Sequence, residues 1–349
     1  MDNKKLRIAI NGFGRIGRIF FRQAFASPSE ASAKEGTPEI EVVAINDLGS
    51  AENLAYLLKY DTVYGQFDKT VESKDKAMVV DGREIQVLQE TEPVKLPWKK
   101  MEIDVVVEST GVFETKEKAS GHLEAGAKRV VITAPAKDEV TPTATPNVGM
   151  QTLADDLVTS NASCTTNAVN PVAAVMQNSV GVRKALLVTV HGYTATQGLV
   201  DGPDKKGDFR RARAAAQNIV PSTTGAAEAT TKVLTELKNK FDGIAIRVPV
   251  ISGSLIDFTF LAGRPTSVNE INEIFKKAAQ AKEWEGILTV TEEPIVSSDI
   301  LGNPHGAIVD LALTKVVDND LVKVFAWYDN EWGYGAMLLK HVLAVGQLL

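Results

Sequence analysis

The stretch from Arg7 to Ala26 constrains this chain more than any other. A short apolar run, Arg7–Asn11, leads directly into Gly12, Gly14 and Gly17, spaced G-x-G-x-x-G, and then into the helical pattern RIGRIFFRQAFA. Strand, glycine turn and helix in that order open a parallel βαβ unit of the kind that binds a dinucleotide. The first glycine permits the tight turn, the second lets backbone approach a pyrophosphate, and the third lets the helix pack on the strand. The free N–H groups and the positive dipole end at the helix start favour the phosphates.

The alternation continues. Glu41–Asp47 (EVVAIND) reads as a β-branched strand and AENLAYLLKY as a helix. AMVVDGREIQVL reads as a hairpin turning at Asp81–Gly82, DVVVEST as a buried strand, KASGHLEAGA as a helix and KRVVITAP as another strand. Strands alternating with helices imply a parallel sheet. Residues 26–39, small, polar and charged, read as a solvated loop. Beyond LVTSNAS the pattern changes to long strands (KALLVTV, GIAIRVPV, SLIDFTFLAG, AIVDLALTKVV, LVKVFAWYD) with few helices between them. The expected fold class is α/β: a Rossmann-type dinucleotide-binding domain plus an α+β catalytic domain with a mixed, largely antiparallel sheet. The 349 residues suit two domains, at ~150 residues each. They are placed at 1–163, joined by the C-terminal helix 330–349, and at 164–329.

Charge and composition exclude several roles. A net charge of −6 gains little from a nucleic-acid backbone, so no nucleic-acid partner is expected. No apolar run reaches the ~18 residues of a membrane span. The N-terminus lacks the apolar core and small-residue cleavage site of a signal peptide. The single cysteine, Cys164, excludes an intramolecular disulfide and a cysteine-based zinc cluster. It suits a reducing, cytoplasmic setting, and no metal is expected.

Two places promise chemistry. Asp47 ends the second strand, where a carboxylate accepts hydrogen bonds from ribose hydroxyls and repels a 2′-phosphate; this points to NAD. Cys164 lies in SNASCTTN among Asn161, Ser163, Thr165, Thr166 and Asn167, ahead of a helical run. A helix starting there favours the thiolate. Pro171 leaves two arrangements open: it sits in the first turn and Cys164 lies in a loop, or it sits inside a helix already begun. A cysteine nucleophile needs a base. Of the four histidines, His122 lies in a charged helical run, His341 in the C-terminal helix and His305 in a loop. His191 ends an apolar strand at a polar loop and is the best candidate. The pairing predicts a thiol pKa below the free value of ~8.5. Arg247, at the end of another apolar strand, is costly to place without an anion or a salt-bridge partner.

INGFGRIGR, ESTGVF, SNASCTTN, the His-x-x-Thr-Ala-Thr-Gln stretch at 191–197, RARAAAQNIVPSTTGAA, IRVPV and WYDNEWGY together resemble the phosphorylating glyceraldehyde-3-phosphate dehydrogenases over essentially the whole chain. The resemblance implies oxidation of D-glyceraldehyde 3-phosphate to 1,3-bisphosphoglycerate with NAD reduction, in glycolysis or gluconeogenesis, through a hemithioacetal and a thioester on Cys164 with His191 as base. It implies that Gly12, Phe13, Gly14, Arg15, Ile16 and Asp47 hold the dinucleotide. Ser109, Thr110, Gly111 and Thr133 would line its path, and Asn330 and Tyr334 would fix the nicotinamide. Thr194 and Arg247 would hold the substrate phosphate; Ser163, Thr165, Thr224 and Gly225 would hold inorganic phosphate. It further implies a homotetramer in which the loop at 201–213 lines a neighbouring subunit's cofactor site, with Arg210, Arg211 or Arg213 near the phosphates. The chain departs from the family at Ala168, where a second cysteine is usual, at Thr91–Glu92–Pro93 and over 141–149. The alternatives are an erythrose-4-phosphate dehydrogenase, against which the 193–197 loop speaks, and a non-catalytic dinucleotide binder, which would need none of Cys164, His191 and Arg247.

Overall fold

The computed structural model describes residues 5–26, 40–203 and 207–349. The N-terminal lead, the loop expected over 26–39 apart from Ala26, and residues 204–206 lie outside the described residues. The chain forms two compact units: 1–144 with 149–162 and 338–349, and 145–148 with 163–337.

The first unit is built on β1 (Leu6–Asn11), α1 (Arg15–Ala26), β2 (Ile40–Asn46), α2 (Ala51–Lys59), the short pair β3 (Tyr60–Asp61) and β4 (Gly65–Gln66), β5 (Val71–Lys74), β6 (Ala77–Val80), β7 (Arg83–Leu88), β8 (Val105–Glu108), the short helices α3 (Lys116–Ala119) and α4 (Gly121–Glu124), β9 (Arg129–Ile132) and β10 (Val158–Ser160). The eight-stranded sheet runs β10-β9-β8-β1-β2-β7-β6-β5. Its strands are parallel from β10 to β7, and antiparallel hairpins close the β5 edge. The expected hairpin turns at Asp81 and Gly82, both with positive φ (46° and 76°). Strand order reverses at β1, between β2 and β8, so the carboxyl ends of these three strands bound the crevice where open α/β sheets take ligands.

The second unit contains α5 (Cys164–Ser179), β11 (Val182–Gly192), β12 (Val220–Thr223), α6 (Ala226–Val233), β13 (Phe241–Val248), β14 (Ser254–Ala262), α7 (Val268–Gln280), β15 (Leu288–Thr291), β16 (Ala307–Val317), β17 (Leu321–Tyr328) and the start of α8 (Trp332–Gly346). Its sheet, β12-β13-β11-β14-β17-β16-β15, is mixed: β11–β13 and β15–β16 are parallel, the rest antiparallel. Alternation along β14 and β17 turns Ile256, Phe258, Phe260, Val322, Val324 and Ala326 into a core shared with α5 and α7. Burial of such side chains is the main force holding the layers together. Of the two arrangements that Pro171 allows, the chain adopts the second: the proline lies inside α5, and the helix begins at Cys164. Proline removes the N–H that would reach the carbonyl four residues back. That carbonyl, of Asn167, lies against Gly306, where a Cβ would stand 3.0 Å from it.

Candidate active site

At the β1–α1 turn the three glycines have separate physical reasons. Gly12 has φ +91°, and a Cβ there would stand 2.7 Å from Ser109 C and Thr110 N. A Cβ on Gly17 would strike the Gly12 carbonyl oxygen. A Cβ on Gly14 would meet nothing within 4 Å, so the backbone there faces an open cradle. Asp47 braces this turn: its Oδ2 accepts from Phe13 N (2.7 Å) and its Oδ1 from Gly49 N (2.9 Å). The Phe13 ring is buried and packs edge-on to Phe21, and its carbonyl accepts from Arg18 Nη1 at 2.8 Å. Arg15 pairs with Asp61. Ile16 lies half-buried in the first turn of α1. On the facing loop, Ser109 Oγ donates to Gly12 O at 2.6 Å and Gly111 has φ +70°. Thr133, at the end of β9, donates its N–H to Glu108 O at 3.0 Å.

In the second unit Ser163 caps α5, its Oγ accepting from Thr166 N at 3.1 Å, and so sets Cys164 at the first helical position. His191 stands near the end of β11 and Arg247 near the end of β13, opposite each other in register. His191 Nε2 is 3.3 Å from Cys164 Sγ. On the other side of the ring, Nδ1 lies 2.6 Å from Gly192 O and 2.6 Å from Arg247 Nη1. The carbonyl asks Nδ1 to donate and the guanidinium asks it to accept; one nitrogen cannot do both at once.

The expected low thiol pKa is not what this arrangement gives. Burial pushes the Cys164 thiol up, with the Arg247 guanidinium pulling the other way. Burial, then Arg247, lowers His191 to about 3. The resting pair is a neutral thiol beside a neutral imidazole, because desolvation disfavours both charged forms. Arg247 is itself desolvated, and the like-charged Arg211 adds to the cost of its charge. No carboxylate pairs with it among the described residues, and its Nε is buried without a partner.

The remaining candidates are placed as follows. Thr194 Oγ1 meets Thr196 Oγ1 at 2.9 Å. Thr165 Oγ1 meets Tyr328 OH at 3.0 Å. Thr224 Oγ1 accepts from Ala226 N (3.2 Å), and Gly225 begins α6 without a side-chain cap. Asn330 Oδ1 accepts from Gly253 N (3.1 Å) and Ser254 Oγ (2.7 Å), which fixes the orientation of its amide. Tyr334 is buried in α8. Arg210 and Arg211 take their N–H groups to Asp208, and Arg213 pairs with Asp201. Arg211 also donates to Ser222 Oγ at 2.6 Å, and its charge reaches His191 within the same chain.

Sequence reasoning assigns no role to Tyr328. It is buried, its hydroxyl joins Thr165 and Thr189 (3.0 and 2.7 Å), and its ring stands edge-on to His191 with centroids 6.0 Å apart. Its tyrosine-rich motif is visible in the sequence, but a residue whose partners come from α5 and β11 has no local signal.

The first unit carries a dinucleotide-type glycine turn, and the second sets one cysteine against one histidine beside an arginine that has no carboxylate partner among the described residues. Comparison with known proteins identifies the family. Residues 6–116 match the family described as glyceraldehyde 3-phosphate dehydrogenase, NAD binding domain, and residues 163–330 its C-terminal domain. The chain is 47% identical over 345 residues to the glyceraldehyde-3-phosphate dehydrogenase of Streptomyces coelicolor, covering 99% of both chains. It is 45% identical over 344 residues to glyceraldehyde-3-phosphate dehydrogenase 2 of Bacillus subtilis (97% of both). It is 48% identical over 342 residues to that of Borreliella burgdorferi (96% and 98%). The chain belongs to the glyceraldehyde-3-phosphate dehydrogenase family, an NAD-dependent enzyme of Rossmann architecture. The open cradle at Gly14, with Asp47 beside the turn, fits that cofactor. No described helix is long and apolar enough to cross a membrane, and no described cluster of His, Cys, Asp or Glu suits a metal ion.

Proposed function

We propose that this enzyme oxidises D-glyceraldehyde 3-phosphate in the presence of inorganic phosphate to 1,3-bisphosphoglycerate, in glycolysis or gluconeogenesis in the cytoplasm. The observation that carries the reading is the Arg247 guanidinium, desolvated and without a carboxylate, next to the Cys164–His191 pair. A desolvated guanidinium whose Nη1 meets, among the described residues, only His191 Nδ1 and the Gly192 carbonyl (3.1 Å), with no carboxylate, calls for an anion, and a substrate phosphate supplies one.

Cys164 Sγ bonds to the aldehyde carbon while His191 Nε2 takes the thiol proton. That proton goes on to the oxygen, giving a hemithioacetal. NAD, when bound, supplies the hydride acceptor. His191 takes the hydroxyl proton as hydride leaves, and a thioester remains on Cys164. A phosphate oxygen then attacks the acyl carbon, and Cys164 departs as a thiolate that His191 reprotonates. In this reading Thr194 and Arg247 hold the substrate phosphate. Ser163, Thr165, Thr224 and Gly225 surround inorganic phosphate, with the positive end of the α6 dipole contributing. The hydroxyls of Ser163 and Thr165 already serve Thr166 and Tyr328, so they turn to phosphate only by sharing those bonds. The glycine turn, Arg15, Ile16, Asp47, Ser109, Gly111 and Thr133 hold NAD, and Asn330 and Tyr334 orient its nicotinamide.

A homotetramer fits the outer face of the second sheet. Leu186 and Ile244 are 64% and 50% exposed, and Val188, Val190 and Ile246 are half-buried on the same side of adjacent strands. A contiguous apolar sheet face of this kind marks an interface. The function is tested by following NADH from glyceraldehyde 3-phosphate with and without inorganic phosphate, and from erythrose 4-phosphate. Phosphate-dependent turnover of the triose is expected. Turnover without phosphate, or a preference for the tetrose, overturns it.

A further inference from the structure

His122 reads in sequence as part of a charged helix, yet it is fully buried between Trp98 and Glu108. Trp98 Nε1 donates to His122 Nδ1 at 3.0 Å. An indole N–H can only donate, so Nδ1 must carry the lone pair and Nε2 the proton. Nε2 then donates to Glu108 Oε2 at 3.0 Å, and the Asn11 amide donates to the same oxygen. The other oxygen, Oε1, accepts from Thr110 N (2.9 Å) and from Thr110 Oγ1. Asn11 Oδ1 accepts from Asn46 Nδ2 at 2.6 Å, and Asn46 Oδ1 from Glu90 N at 2.8 Å. Asn11 Nδ2 also stands 3.3 Å from His122 Nε2, a contact between two donors once Trp98 has fixed the tautomer, and the network ties together the ends of β1, β2 and β8.

The network reaches the glycine turn through one peptide. Gly12 packs against the Ser109–Thr110 peptide so closely that a Cβ would stand 2.7 Å from it, and Glu108 pins the N–H of that peptide. Thr110 has its N–H and hydroxyl on Glu108, and its Oγ1 also accepts from Val112 N (3.1 Å). Its side chain therefore anchors the loop and leaves ligand contacts to others.

We propose that Trp98, His122 and Glu108 form a positioning relay that sets NAD affinity through the Thr110 peptide without touching the cofactor. The proposal rests on the reading that the glycine turn holds NAD, and it is independent of the chemistry at Cys164. Trp98→Phe keeps an aromatic side chain and removes the N–H that fixes the His122 tautomer, together with part of the buried indole volume, so its effect on NAD binding is read beside the His122 tautomer and kcat. The expected result is NAD binding weakened about tenfold, the scale of one lost buried hydrogen bond. At saturating NAD, kcat stays within about twofold, and the rate of Cys164 alkylation is unchanged. Imidazole 15N shifts should show His122 protonated at Nε2 alone in the unaltered enzyme and as mixed tautomers in Trp98→Phe. His122→Gln, whose carbonyl can accept from Trp98 and whose amide can donate to Glu108, should retain affinity better than His122→Leu. Wild-type NAD affinity in Trp98→Phe overturns the relay. So does a tautomer that stays fixed in that variant, or a parallel loss of affinity, kcat and alkylation. Gly14→Val separates the two ideas: if it binds NAD normally, the glycine-turn reading falls and takes the relay with it. If it loses NAD while Trp98→Phe does not, the relay alone falls.

Discussion

Two buried histidines show how the two units differ. At His122 the Trp98 N–H claims Nδ1 as acceptor, which leaves Nε2 to donate to Glu108 although the Asn11 amide nitrogen also stands 3.3 Å from it. At His191 one nitrogen faces the Cys164 sulfur and the other is contested by a carbonyl and a guanidinium. A network whose tautomer is fixed by an obligatory donor holds one hydrogen-bonding pattern, whereas at His191 no obligatory donor decides which way Nδ1 is used. The first arrangement suits a region that must hold one shape for a cofactor. The second suits a region where a proton changes place during each turnover. It also sets Arg247 in a desolvated place with no carboxylate partner among the described residues.

The sharpest way to break this contrast is to remove the sulfur. Cys164→Ala should lose aldehyde oxidation altogether and still bind NAD, as measured by NADH formation and by calorimetry. Residual NADH production would mean that no covalent step occurs. His191→Asn should come next, with kcat falling by ~10²–10⁴, the usual reach of a general base, and little change in NAD affinity. A loss of NAD affinity of similar size would erase the distinction between the two regions.

Arg247→Leu should raise the KM for the aldehyde by about 10²-fold, the worth of a strong charge-assisted contact, and leave the KM for inorganic phosphate within a few-fold. Thr224→Ala should do the reverse on a smaller scale. If both variants shift both constants alike, the two phosphates are not held separately.

The two regions also differ in how far the sequence alone discloses them. The β1 turn is legible because every part of it is local: the glycines are required by contacts within the motif and with one neighbouring loop. Cys164 and His191 stand out because each ends or starts an element at a polar loop. The relay is not legible. Trp98, His122 and Glu108 belong to a loop, a short helix and a strand, and nothing in the sequence around His122 distinguishes a buried imidazole from a solvated one. The raised Cys164 thiol escapes sequence reasoning for a related reason. Sequence places the thiol at a helix start beside a histidine, both of which favour the thiolate, but desolvation depends on the packing of α5 against the sheet. The family resemblance leaves open which of Arg210, Arg211 and Arg213 nears a neighbouring cofactor; the hydrogen bond from Arg211 to Ser222 sets its charge near His191 in its own chain.

The smallest expected effect is on stability, and it brings in a third buried histidine. His341 lies in the first unit with Nε2 2.9 Å from Thr159 Oγ1, and burial lowers it to about 4 from 6.5. His191 is lowered to about 3, with Arg247 adding to burial. Below pH 6.5 the unfolded chain binds protons that the folded chain does not, so acid favours unfolding. The stability is present in full above about pH 6.5 and is lost as the pH falls, levelling off near 4 for His341 and near 3 for His191. Each group contributes a slope of up to about 1.4 kcal/mol per pH unit in that window. The depressed carboxyls Asp61, Asp138 and Asp156 start from a reference of 3.8 and so act mainly below the range pH 4.5–6.5. Denaturant unfolding across that range should therefore give a shallower slope for His341→Asn than for the unaltered chain, whatever the variant does to absolute stability. The same should hold for His191→Asn. An unchanged slope in either variant would mean that the histidine is protonated in the folded protein. At His191 that result would replace the neutral resting pair by a thiolate–imidazolium pair, and the contrast with His122 would then lie in charge as well as in hydrogen bonding.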